Sequence, residues 1–380
     1  MRNNEVFRLT KTTSFLFDLI RSLSAQAVLF GHCISLLGIL PWLQPPQAPY
    51  MQNLAVIVFF LLSGFLIPYT VVRNRARGGY SWRHFFIDRF TRIYSGFIPC
   101  LLVIMLIDAA DLALRPAGYE YRDAFNVGTF VANVFMLQDH VLMQWASVSW
   151  HHAVSWIPSF TSFGSGRPLW TVAIEWWIYL FFGWVALGTD TLRRNPLLYV
   201  AVLAVVACIP IWNALGGRGN GLTWMWLAGT AIFEALRKGH LPDMWRRHCL
   251  AVSMLFAVLA AQRFRMIHQE YDVILVLLLA VSLYFVAAWA QVTTFKIPAA
   301  LHRVTRSTAD YSLTLYLIHY SLASFLIPQI KSLGLWITLA LVMLACNVVS
   351  LLIALPTEMR HKEWALRLKA RFACLPSTTS

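Results

Sequence analysis

The chain has 380 residues, 58% of them hydrophobic and only 13% charged, with a mean hydropathy of +0.61. Soluble domains are about one-quarter charged, so this composition excludes an ordinary soluble domain and predicts an integral membrane protein. The formal charge of +14 points to basic cytoplasmic loops rather than to nucleic acid, because Lys and Arg set orientation in the membrane.

Apolar runs of about 20 residues, enough to cross a hydrocarbon core, fall in order at 14–40, 51–72, 93–114, 168–188, 196–213, 222–236, 249–266, 272–292, 310–330 and 333–355. The sixth is the shortest. Asp18 and Arg21 interrupt what would be the apolar stretch of a signal peptide, so the first run is expected to remain as a helix. Between the third and fourth runs, 115–167 is expected not to cross: its apolar part, 125–137, is short and broken by Asn126, Gly128 and Asn133. With the N-terminus inside, ten crossings place 23 of the 31 Lys and Arg residues in the cytoplasm, seven outside and Arg21 within the first run. The predicted fold is therefore an all-α polytopic bundle of about ten transmembrane helices with both termini cytoplasmic. A single membrane domain (1–380, core 14–355) ending in a short basic tail, 356–380, accounts for the chain. The six cysteines lie far apart with no CxxC spacing, so neither disulfides nor a metal are expected.

The first run carries Arg21 and His32. Eleven residues of α-helix turn through about 1100°, returning to within about 20° of one face. Ionisable groups on one stripe of a transmembrane helix are costly to leave in lipid and mark a site, or a permeation path. With this topology, His32 lies about 27 Å from the inner end of the helix and Arg21 about 10 Å. Asp18, three residues before Arg21, suits its neutralisation. The segment 73–92 is the most basic. Within it Arg89 and Arg92 stand three residues apart, about 60° around a helix, so both reach one anion. Guanidinium forks suit phosphate; an ordinary positive-inside flank against anionic lipid is the alternative reading.

In the fourth run Glu175 lies seven residues after Pro168, about 10 Å deep, at a depth matching His32. A carboxylate beside an imidazole fixes its tautomer and raises its basicity; a purely structural hydrogen bond is the alternative. The outer segment 138–170 holds His140, Trp145, Trp150, His151, His152, Trp156 and Trp170. Its aromatic faces suit sugar rings or a membrane interface, and its histidines lack a convincing zinc spacing. In the ninth run Tyr316 and His319 suit a pocket lining or a structural role.

Five strings in order resemble the membrane acyltransferase-3 family of O-acyltransferases. Asp18-Leu19-Ile20-Arg21 followed by His32 is similar to its opening arginine-x10-histidine pattern, and Val58-Phe59-Phe60-Leu61-Leu62-Ser63-Gly64-Phe65-Leu66-Ile67 to its second-helix signature. Arg89 and Arg92 match its RxxR pair. Leu169-Trp170-Thr171-Val172-Ala173-Ile174-Glu175-Trp176-Trp177-Ile178-Tyr179 resembles its LWxLxxExxFY segment, and Tyr311-Ser312-Leu313-Thr314-Leu315-Tyr316-Leu317-Ile318-His319 its late SYxxYLxH helix. Departures are Ser95, where the family has proline after RIY, and Glu175-Trp176, where it has Glu-Glu or Glu-Gln.

The resemblance implies transfer of an acyl group, commonly acetyl from acetyl-CoA or another acyl-CoA, to a hydroxyl of a glycan, a glycolipid or a small molecule. The donor would be held by Arg21, Arg89 and Arg92 and the acceptor by Trp170, Tyr316 and His319, with His32 as general base and Glu175 assisting. The setting expected is a multi-pass protein of the bacterial inner membrane, with membrane lipids as neighbours, no nucleic acid, and a homo-oligomer left open. A transporter or lipid-binding membrane protein is the alternative.

Overall fold

The computed structural model describes residues 7–141, 160–217, 219, 221–239, 248–267 and 272–373. They form helices and no strand. Nine helices among the described residues are long and apolar enough to cross a membrane. The remaining expected crossing, the sixth in order, forms a helix of 17 residues, Leu222–Lys238, about 25 Å long and short of the usual 20-residue span. Many large apolar side chains on these helices face outward, among them Leu106, Leu197, Val258, Leu277 and Leu352. In water such a surface would aggregate; against lipid tails it costs nothing.

The chain packs as two compact units, each assembled from separate stretches: Met1–Gly79 with Gly219–Ser312, and Tyr80–Arg218 with Leu313–Ser380.

The first unit holds α1 (Lys11–Leu37), α2 (Met51–Arg75), α8 (Leu222–Lys238), α9 (Cys249–Met266), α10 (Val273–Val292) and α11 (Ala299–Asp310). Thr10 caps α1 by accepting from Thr13 N, and Gly38 ends it in the left-handed region at φ 66°, where a side chain would be strained. Helices α2 and α8 meet backbone to backbone: a Cβ on Gly64 would overlap the Trp226 carbonyl, and one on Gly229 the Leu61 carbonyl. Small residues permit this approach in membranes, where packing and polar contacts rather than water exclusion hold helices together. Thr230 Oγ1 then donates to Gly64 O at 3.0 Å and Trp226 Nε1 to Ser63 Oγ at 3.2 Å. Ser253 and Ser282 join α9 to α10 by reciprocal bonds to each other's carbonyls, at 2.9 and 3.0 Å. Asp272 accepts a bidentate pair from Arg263 and caps α10 through Leu275 N.

The second unit holds α3 (Trp82–Leu114), α4 (Val127–Val134), α5 (Leu169–Leu187), α6 (Thr189–Arg194), α7 (Pro196–Ala214), α12 (Ser312–Ile330, whose first residue belongs to the first unit), α13 (Leu335–Ala354) and α14 (His361–Ala373). The third helix begins at Trp82, eleven residues before the apolar run, because Ser81 and His84 form a capping box there and the basic segment simply continues as helix. Arg89 and Arg92 thus lie inside α3. Phe86, Phe90 and Tyr94 stack along α3, and each meets Trp176 of α5. The eight residues of α4 rise only about 12 Å. Asn133 ties this helix to the loop before α5, donating to Thr161 O and accepting from Phe163 N. Trp145, Trp150, His151, His152 and Trp156 lie outside the described residues.

Candidate active site

In the first unit, Arg21 and His32 are both half-buried on α1. Arg21 lies close enough to Asp18 for its charge to bear on it, as do Arg306, Asp310 and His302 of α11. Ser22 Oγ donates to Thr308 Oγ1 at 2.6 Å, and Phe15 stacks on His302. The lower half of α1 is therefore lined by a charged helix that the hydropathy pattern does not reveal. At the other end, a Cβ on Gly31 would stand 2.6 Å from Gln52 Oε1. Gln52 is buried, and this oxygen has no hydrogen-bond partner among the described residues. A polar amide thus sits against the backbone next to His32. Sequence reading missed it, because a single Gln at the start of an apolar run carries no spacing signal.

The second unit contains two groupings. The first joins α3 to the C-terminal segment. Arg92 Nη1 donates to Glu358 Oε1 at 2.7 Å. The other oxygen of Glu358, a residue with no exposed surface, accepts from Thr314 N at 2.8 Å and Thr314 Oγ1 at 2.7 Å. Lys369 of α14 pairs with Asp88, one helical turn before Arg92, at 2.5 Å. The tail expected to be merely basic is thus docked on α3 by two ion pairs. Arg89 is placed differently. Its guanidinium lies 5.9 Å from the Phe85 ring centroid, and its buried Nε has no hydrogen-bond partner among the described residues.

The second grouping is on α5 and α12. Tyr179 Oη donates to Glu175 Oε1, and Thr171 Oγ1 shares a hydrogen bond with Tyr316 Oη at 2.6 Å. Glu175 is near enough to Tyr316 for its charge to act on that phenol. Thr171, Glu175 and Tyr179 recur every fourth residue, so they form one polar stripe on a helix that is otherwise apolar. His319 is fully buried, with Nδ1 placed to donate to Leu315 O and Tyr316 O at 3.0 and 2.9 Å. That leaves Nε2 as the acceptor nitrogen. Trp170 is half-buried on α5, one residue before Thr171. Beyond it, Trp177 Nε1 donates to Met136 O at 2.8 Å and packs edge-on to His140, whose pKa is lowered by burial. Among the described residues no group of three His, Cys, Asp or Glu is placed to hold a metal ion.

The acyltransferase-domain family model matches residues 16–359, nearly the whole chain and both units. The chain is a member of that family. Among curated proteins it is similar to an O-acetyl transferase of Shigella phage Sf6, 25% identical over 242 residues. That match covers 60% of this chain and 63% of the length of the phage protein. No solved structure gives a significant match.

In this family member, Glu175, Tyr316 and His319 come together within the second unit, as do Arg89 and Arg92, while Arg21 and His32 share α1 in the first. Glu358, Thr171 and Tyr179 were not legible as site residues. Glu358 sits in a tail that reads as solvated, and Thr171 looks like an ordinary helix residue until Tyr316 is placed opposite it.

Proposed function

We propose that this membrane protein is an O-acetyltransferase, a single acyltransferase domain made of both units, moving acetyl from acetyl-CoA to a hydroxyl of a cell-surface or exported glycan or glycolipid in the bacterial inner membrane. The observation that carries the reading is the placement of Arg21 and His32 on one stripe of a membrane-spanning helix within a family match that runs from residue 16 to 359. Arg89, whose buried Nε lacks a protein partner among the described residues, takes donor phosphate, with Arg92 alongside. His32 accepts the proton of the acceptor hydroxyl as its oxygen attacks the thioester carbonyl. The carbon–sulfur bond breaks, CoA leaves as thiolate, and the proton on the imidazole passes to it. Gln52, against the His32 end of α1, is placed to orient the acceptor. Within the second unit, Trp170, Tyr316 and His319 are assigned to binding the acceptor, and Glu175 to supplying negative charge beside Tyr316.

His32→Ala tests this. Acetyl transfer by the purified protein should fall at least about 100-fold, the low end of general-base effects, while acetyl-CoA affinity stays within about two-fold, because phosphate contacts are untouched. A folded His32→Ala protein that acetylates its acceptor at the native rate would refute histidine catalysis.

A further inference from the structure

The polar stripe on α5 continues outward to a cluster that acyl transfer itself leaves unused. Arg167 stands four residues before Thr171, exposed, with its guanidinium carbon 5.6 Å from the ring centroid of Tyr320. Tyr320 is buried and stands four residues after Tyr316. Two rungs therefore follow one another, Thr171 with Tyr316 and Arg167 with Tyr320. The Tyr320 hydroxyl shares a hydrogen bond of 3.0 Å with that of Tyr121. Among the described residues no carboxylate pairs with Arg167.

The loop presenting Arg167 is fixed from several sides. Ser165 N donates at 2.8 Å to Oδ2 of Asp108, a carboxylate residue only 1% exposed. Gly164 N donates to Ala124 O at 3.2 Å and Leu169 N to Gly166 O at 3.0 Å. Gly164 has φ +51°, and a Cβ there would overlap Asp108 Oδ2, so only glycine allows this approach. Ordering a long side chain such as Arg costs entropy, and an exposed cation–π contact returns less than that cost. Stacking alone does not explain so firmly built a platform.

We propose that Arg167, with Tyr320 and Tyr121, is a binding subsite for an anionic group, carboxylate or phosphate, carried by the saccharide acceptor; the proposal rests on the acyl-transfer reading above. Stacked on Tyr320, the guanidinium keeps its N–H edges for a planar or tetrahedral oxyanion, the pairing for which its fork is suited. Burial, reinforced by the Tyr320 hydrogen bond and opposed by Arg167, pushes the Tyr121 phenol well above its ordinary value, so it stays a neutral donor. Leu169 to Glu175 is six residues of helix, roughly 9 Å, so an anion held at Arg167 leaves a short saccharide reaching inward towards Glu175.

The test uses the full chain in lipid nanodiscs and three probes: methyl glucuronide, glucose 1-phosphate and uncharged methyl glucoside, with affinities from ligand-observed NMR. Wild type should bind one or both anionic sugars about ten-fold more tightly than the neutral one, as expected for a charge-assisted hydrogen-bonded pair. Arg167→Gln should bring all three within about two-fold, and Arg167→Lys should restore part of the preference, since charge returns without the fork. The stronger anion identifies the acceptor's charged group as carboxylate or phosphate. Equal binding of the three sugars, no measurable binding of any, or a preference that survives Arg167→Gln would overturn the proposal. Acetyl turnover in wild type and His32→Ala is read separately, so failure of the acyl-transfer reading shows there and not in charge selectivity.

Discussion

Two arginines that read alike in sequence stand in different circumstances in the structure. The spacing of Arg89 and Arg92 shows that both face one side of a helix, but it cannot show that Arg92 meets a carboxylate 266 positions away. Removing the Arg92 guanidinium would leave the buried Glu358 carboxylate without its counter-charge. Arg92→Ala should therefore destabilise the protein by about 3 kcal/mol, the low end for a broken buried pair because Arg92 keeps 23% exposure. Arg92→Ala with Glu358→Gln should recover part of that loss, since the amide still accepts from Thr314 N without carrying charge. Arg89→Ala, which breaks no ion pair among the described residues, should leave the unfolding midpoint nearly unchanged and weaken acetyl-CoA binding by about ten-fold or more. Tryptophan-monitored denaturation and donor binding measure the two effects. Wild-type stability in Arg92→Ala would show that the pair is not structural, and unchanged donor affinity in Arg89→Ala would return it to an ordinary basic flank.

At the scale of elements, hydropathy located the helices that lipid surrounds and missed those stabilised by side-chain partners. Helix α11 follows α10 with a charged face and no apolar run, and α14 is held by Lys369 and the neighbouring Glu358 rather than by lipid. Helix α8 is the shortest of the expected crossings, yet it meets α2 backbone to backbone, at Gly64 and Gly229. A run of small and polar residues lowers hydropathy for the same reason that it permits this contact. Gly64→Ala should force α2 and α8 apart, strain the Thr230 and Trp226 hydrogen bonds, and cost about 1–3 kcal/mol. Gly96→Ala is the control. A Cβ there meets nothing nearer than 3.6 Å, so its effect should stay within about 0.5 kcal/mol. Equal melting shifts for the two variants would mean that the α2–α8 contact does not limit stability.

For the whole molecule, orientation is written in the charges rather than in the packing. Ten crossings with the N-terminus inside place 23 basic residues in the cytoplasm and seven outside, and an extra crossing between α3 and α5 would move Arg193 and Arg194 outward with the basic loops that follow. The eight-residue α4 is too short to supply that crossing, since it would have to cover about 30 Å of hydrocarbon. Cysteines introduced near Gly79 and Gly239, and tags at both termini, should therefore be reached by a membrane-impermeant reagent only after lysis. Cysteines introduced within 138–165 should react in intact cells, as the acceptor side must if it opens to the exterior. Protection of 138–165 in intact cells, with labelling after lysis, would overturn the ten-crossing reading, and the proposed route of the acetyl group from a cytoplasmic donor to an outer acceptor would have to be abandoned.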